Sequence, residues 1–357
     1  MAKRFSAYLI LLGFLLGNLV KIPIFRQDIK ISPLDIALLI TYILAFLKVK
    51  KSKFPKIDPS LLLLTSWLLF SLLFNATSQN ILSGSAYFFR YCLYIYSFYP
   101  LSIIFSKSEK YSLITALALM FPLLGAIQYF WFPDLRPFTI YGWDMHYFRV
   151  FGTYLDPGFY GLMLFWSLLY LANKPVLWTI SYLVFAFTYS RSSFLAFAIG
   201  YTKTLKIIPY LLILITIFTL PRFTSGEGVR LERTNSVVSR FDNWQDSLTI
   251  VKKSPLFGIG FNLLRFHYQG KEGWETSHAA SGSDSSLVFI LTTSGLIGLT
   301  LYLKLLWHLW KYVRQDRFLS AFFIAIFVHS FFLNSQFYPP IILLFSLSLA
   351  FKADKTL

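Results

Sequence analysis

The sequence predicts an all-α polytopic membrane protein of about twelve transmembrane helices (10–12) with one large extracytoplasmic loop. Three observations predict it. Of 357 residues, 56% are hydrophobic and only 14% are charged, whereas about a quarter of a soluble domain is charged. The apolar residues gather into runs near the roughly 17–25 residues that a helix needs to cross the hydrocarbon core. Basic residues also fall between those runs in an alternating pattern of rich and poor connections.

Taken in order, the first run, Phe5 to Val20, follows Lys3 and Arg4 as a signal peptide would. No small-x-small cleavage site follows, so it reads as a retained span. Further spans are expected near 33–48, 59–75, 80–105, 112–132, 158–173, 176–189, 192–202, 207–221, 286–310, 318–334 and 338–351. The pair around "TYSRSSF" reads either as two crossings or as one broken, re-entrant element, which membrane depth tolerates where protein or a cavity surrounds it. The chain reads as a single transmembrane domain, residues 1–357, with the loop 222–285 as its large extracytoplasmic excursion. The lone cysteine, Cys92, excludes an intrachain disulfide and a cysteine metal cluster. No zinc, calcium or P-loop spacing is present, and no metal or other cofactor is expected.

Lysines and arginines sort differently. With both termini cytoplasmic, fifteen of the twenty lysines fall on the cytoplasmic side, while ten of the thirteen arginines lie outside or, as Arg90, within a span. Lysine alone satisfies the orientation rule. A guanidinium keeps its charge and grips phosphate or carboxylate with two hydrogen bonds, so the outer arginines point to a polyanionic ligand. The competing reading pairs them with the seven acids of the long loop.

That loop is too long to be a mere connection. Val237, Phe241, Trp244, Leu248 and Val251 recur at helical spacing, which predicts an amphipathic helix over 236–252 lying at the membrane surface. Arg240 shares the face of Trp244. "SPLFGIGFN" (254–262) then supplies Pro255 to end the helix and Gly258 and Gly260 for a tight loop; it lacks the strand context and third glycine of a dinucleotide fingerprint. In "GSDSSLVF", Asp284 reads either as part of an N-cap or as a general base at the membrane boundary whose pKa partial burial raises. His278 is a second candidate base, with an exposed loop histidine as the competing reading. Charges within spans suggest function; Arg90 fits that rule, while Arg191 at a helix end equally suits snorkelling. His329 and Asn334 suit interhelical hydrogen bonding. Asp156 suits an N-cap with Pro157 at the first helical position, and the aromatics of 136–161 suit an interfacial belt or stacking on sugar rings.

"RVFGTYLDPGFYG" (149–161), "YSRSSFLAF" (189–197), "RFDNW" (240–244), "SPLFGIGFN" and the polar entry to "LTTSGLIGL", in that order, resemble the O-antigen polymerase/ligase superfamily of bacterial envelope glycosyltransferases. The resemblance covers most of residues 149–303. It implies a GT-C-like inner-membrane enzyme that moves a glycan from an undecaprenyl-pyrophosphate carrier at the outer face by an inverting, metal-independent route. The partners it implies are that lipid-linked glycan, a glycan or lipid acceptor and membrane lipids, with no nucleic acid. It further implies that Arg191 and Arg240 hold the pyrophosphate, with Arg90, Arg149 and Arg222 as additional candidates. Ligases of the family usually carry a histidine eleven residues before the first glycine of a motif like "SGLIG"; here that position is Asp284, which favours a polymerase or related transferase over a ligase. The peptidoglycan polymerases of shape, elongation and division share the architecture but not these motifs. A secondary transporter or lipid flippase is the reading from another class, although no internal repeat of the kind such proteins show is visible.

Overall fold

The computed structural model describes residues 2–24, 26–49, 57–205, 207–222, 227–268 and 282–353. Helices occupy every expected apolar segment: α1 (Ala2–Leu16), α2 (Pro33–Lys48), α3 (Pro59–Asn75), α4 (Ile81–Ile95), α5 (Phe98–Ile104), α6 (Lys107–Trp131), α7 (Pro157–Tyr170), α8 (Pro175–Ala186), α9 (Arg191–Leu205) and α10 (Ile208–Thr219). After the long loop's α11 (Asn235–Lys253) and the single turn α12 (Leu264–His267) come α13 (Ser286–Val313), α14 (Arg317–His329) and α15 (Pro339–Ala353). Among the described residues, α6 and α13 are long and apolar enough to cross a membrane; most of the other apolar helices are shorter.

Local chemistry sets many of these boundaries. Ser32 and Asp35 form a capping box on α2, Asp58 caps α3 and Asp156 caps α7, each with proline in the first helical turn. Asp156 accepts from the amides of Gly158 at 2.7 Å and Phe159 at 3.0 Å, as its sequence context predicts.

Packing is centred on α7, which is apolar and covered nearly all round, the mark of a central helix. Tyr160, Met163, Phe165 and Trp166 are fully buried, and α6, α8, α9, α14 and α15 surround them. The periphery is the reverse. Phe46, Phe130 and Phe218 are at least 72% exposed, and leucines and isoleucines of α2, α3 and α10 accompany them. Exposing such side chains to water forfeits about 1.5–3 kcal/mol each, so a surface of this extent suits lipid.

The architecture departs from the expected all-α pattern at one strand pair and from the expected spans at one break. Ile22–Ile24 and Arg26–Ile31 form an antiparallel hairpin, β1–β2, with Ile22 opposite Ile31. The expected span 80–105 is broken at Tyr96 and Ser97 into α4 and α5. Around "TYSRSSF" the chain makes two separate helices, α8 and α9, turning through Tyr189 at φ 49°.

A break inside a helix lies elsewhere. α13 is interrupted at Gly295 (φ 67°, ψ −171°), nine residues, or about 13 Å of helix, from its start. The loop 255–260 fills the break. Amides of Ile259 and Gly260 donate to the carbonyls of Thr292 and Thr293 at 3.1 and 2.9 Å, and the amides of Leu296 and Ile297 donate to those of Pro255 and Leu256. Trp67 Nε1 donates to the Ser294 carbonyl, and Ser71 Oγ bridges Phe257 and Thr293. Each backbone group left unpaired in an apolar setting would cost several kcal/mol, so the break persists because the loop and α3 supply its partners. Glycine is required at the crossing: a Cβ on Gly295 would strike the Leu256 carbonyl, and one on Gly258 (φ 71°) would strike the Thr293–Ser294 peptide. The motifs "SPLFGIGFN" and "LTTSGLIGL" are therefore two halves of one contact.

Candidate functional site

Asp284 sits directly before α13 but does not cap it; Ser285 is the N-cap, its hydroxyl accepting from the Val288 amide. The Asp284 backbone is instead held from α11. Asn243 Oδ1 accepts from the Asp284 amide at 3.0 Å and from Ser283 Oγ at 3.1 Å. Among the described residues the Asp284 carboxylate itself has no hydrogen-bond or ion-pair partner. Burial pushes its pKa up to about 6; Arg240 pulls it down, and Asp144 and Asp156 push it up again.

α11 forms over nearly the expected residues, and its two faces differ. Val237, Phe241 and Leu248 are exposed, whereas Arg240, Asn243, Trp244, Ser247 and Val251 lie on the half-buried to buried stripe that packs toward α13. The same stripe thus carries the residue that positions Asp284 and the guanidinium that acts on it. Arg240 has no hydrogen bond or ion pair among the described residues.

The other predicted arginines are committed. Arg149 is buried and donates to the carbonyls of Thr188 and Tyr189 and toward His146 Nδ1. Burial, then Arg233 and Arg240, pull its pKa down. Arg191 donates to the carbonyls of Leu231 and Arg233, tying α9 to the segment before α11. Arg222 lies 3.8 Å from Glu232, a pairing within the long loop, and both are exposed. Arg90 is bound to the buried Asp35 at 2.9 Å, and Tyr94 also donates to that carboxylate. His278 lies outside the described residues. Arg240 acts electrostatically on Arg149, Arg191 and Asp284, so a positive region adjoins Asp284 although Arg240 alone of this set is uncommitted among the described residues.

The "YSRSSF" serines serve a buried polar knot. His329 is fully buried, with Nδ1 2.5 Å from Ser335 Oγ and Nε2 3.2 and 3.3 Å from Ser192 and Ser193. Ser193 also donates to the Gly158 carbonyl at 3.0 Å. His329 is thus the interhelical partner its position predicts, and the knot fixes α9, and with it Arg191, against α7 and α14.

Asp284 opens onto a cavity of about 1390 Å³, larger than the roughly 300–1,000 Å³ of ordinary small-molecule sites. Asp144 and Asp156 line it as well, as do Arg90, Asn262 at the end of "SPLFGIGFN", and two cations that sequence motifs do not single out: Lys21 and Lys30. Lys21 and Lys30 had one legible signal, since they are among the few lysines on the expected outer side. Asn243 lies inside "RFDNW", but only its contact with residues 283 and 284 reveals its role. The described residues hold no group of three or more His, Cys, Asp or Glu side chains arranged to bind a metal ion.

Fold and site together define a largely helical protein whose apolar exterior suits lipid, with Asp284 on the lining of a large cavity and Arg240 acting on that carboxylate. Residues 175–303, 129 of the 357 in the chain, match the family model described as O-antigen ligase, and this match supports membership of the O-antigen ligase/polymerase superfamily. Membership supports membrane association and a part in polysaccharide biosynthesis. The matched segment runs from α8 into α13 and contains "YSRSSFLAF", "RFDNW", "SPLFGIGFN" and "LTTSGLIGL"; "RVFGTYLDPGFYG" precedes it. The chain matches no curated protein.

Proposed function

We propose that this protein is a membrane glycosyltransferase that polymerises or transfers undecaprenyl-pyrophosphate-linked oligosaccharide at the outer face of a bacterial cytoplasmic membrane, with both termini cytoplasmic. The observation that carries the reading is the pairing of two unspent groups: an Asp284 carboxylate without a hydrogen-bond partner and an Arg240 guanidinium without an anion, both set by the buried stripe of α11. Asp284 removes the proton from an acceptor hydroxyl, and that oxygen attacks the anomeric carbon. The bond from that carbon to the phosphate oxygen breaks, and its electron pair leaves with the pyrophosphate, whose charge Arg240 stabilises with Arg191 behind it. Attack opposite the leaving group inverts the anomeric centre, and no metal takes part. A pKa near 6 suits the task, because at neutral pH the carboxylate is ionised yet still basic enough to accept a proton.

Carboxylate rather than histidine at position 284 favours a polymerase, in which the acceptor is another glycan, over a ligase. Purified protein incubated with a lipid-linked oligosaccharide tests the reading. Longer glycans that depend on Asp284 support polymerisation; transfer of a single unit to a lipid acceptor identifies a ligase. Absence of any product, with transbilayer movement of the lipid instead, refutes the enzyme reading in favour of a flippase.

A further inference from the structure

Two sets of charged groups line the cavity or act on its lining. Asp284 is coupled to Asp144, Asp156 and Arg240, whereas Lys21 is coupled to Arg90, Lys30 and Asp35. Arg90 is neutralised by Asp35 at 2.9 Å. Lys21 and Lys30 are not: among the described residues neither has an ion-pair partner, and Lys21 rests 5.0 Å from the centre of the Trp143 ring. Half-buried Lys21 and exposed Lys30 thus offer an anion entering the cavity two ammonium groups that no carboxylate occupies.

The same cavity carries unpaired hydrogen-bonding groups. Tyr91 is 6% exposed and lines it; among the described residues its hydroxyl, Asn262 Nδ2 and Asn334 Oδ1 are buried without a partner. Buried polar atoms are nearly always satisfied, by ordered water where no protein group serves, so these three residues give the cavity wall a polar character. Hydroxyl-rich sugar suits such a wall, and the lysines add a demand for charge.

We infer that the Lys21–Lys30 wall is an acceptor subsite for an anionic glycan, which it holds by a carboxylate or phosphate. This rests on the glycan-transfer reading and names its acceptor class: a saccharide bearing negative charge, held so that a neutral hydroxyl reaches Asp284 in the same cavity.

Equilibrium binding to the full-length protein in nanodiscs, without lipid donor, tests this apart from turnover. Three probes suffice: an oligosaccharide containing a uronate, its carboxyl-reduced form, and that reduced form carrying a terminal phosphate. An anionic probe should bind about tenfold or more tighter than the reduced one at low salt, and the gap should close as salt rises. Preference for the uronate assigns the charge to the glycan; preference for the phosphate assigns it to the acceptor's carrier. The combined Lys21→Ala and Lys30→Ala change should bring the anionic-to-neutral ratio toward one, and the corresponding arginine changes should retain the preference. Equal affinities for all three probes at low salt overturn the inference, a result that wild-type protein alone delivers. That outcome leaves the transfer assay standing, just as failure of transfer leaves this measurement readable.

Discussion

Asp284 and Lys21 line one cavity and are displaced by the same force in opposite directions. Burial raises the carboxylate to about 6 and lowers the ammonium to about 8, so each is pressed toward neutrality. Their neighbours then separate them. Arg240 restrains the shift of Asp284, whereas Arg90 and Lys30 deepen that of Lys21. A group balanced between an arginine and two carboxylates is poised to exchange a proton; one crowded by like charges is poised to bind an anion.

The sharpest test of the contrast is Asp284→Asn. Removing a general base should lower glycan transfer about 10²–10⁴-fold, measured as product size and rate with purified protein. The same change should stabilise the fold. An unfolded aspartate loses its proton near 3.8, while the folded one holds it to about 6. Ionisation therefore costs stability progressively from about pH 4 upward and nothing below. Thermal melts of Asp284→Asn should lie above wild type at pH 7, by up to about 3 kcal/mol, and coincide with it at pH 3. In wild-type enzyme, kcat/KM should fall about tenfold per pH unit below pH 6, since the base must be ionised.

Arg240→Ala should cost about 10²–10³-fold in kcat, the scale of a lost charge-stabilising donor. It should also move the acid limb of the pH profile upward, because Arg240 lowers the Asp284 pKa. A loss of rate without that movement would separate the arginine from the aspartate. Gly295→Ala probes the scaffold: its Cβ meets the Leu256 carbonyl at positive φ, and a loss of about 2–4 kcal/mol is expected in thermal or denaturant unfolding. Asn243→Ala should act most mildly, removing two hydrogen bonds to residues 283 and 284 and slowing transfer about 5–30-fold. If Asn243 positions the base, kcat falls more than KM rises.

Helix positions were legible because every apolar run had nowhere to go but inward or into lipid. α11 was legible for the same reason: its helical period placed Phe241 and Trp244 on a turn of known geometry, and the structure forms Asn235–Lys253. The hairpin at Ile22–Ile31 was not, since two short strands carry little pattern of their own. Nor was the interruption of α13, because one glycine in an apolar run looks tolerable until a second segment enters beside it. Among site residues, motifs singled out Asp284, Arg191 and Arg240, but spacing cannot tell an engaged guanidinium from a free one. Arg149 and Arg191 hold backbone carbonyls and Arg240 does not.

The amino-acid order by itself determined where helices form, that they suit a membrane, and which polar motifs recur among them, because hydrophobic period and capping are properties of neighbours along the chain. Only the tertiary structure decided that residues 255–260 would heal the break at Gly295, that Asn243 would aim Asp284, and that Lys21 would share its cavity. Those outcomes join segments far apart in sequence. The energies that settle them, a satisfied carbonyl or a charge withdrawn from water, exist only once such segments meet.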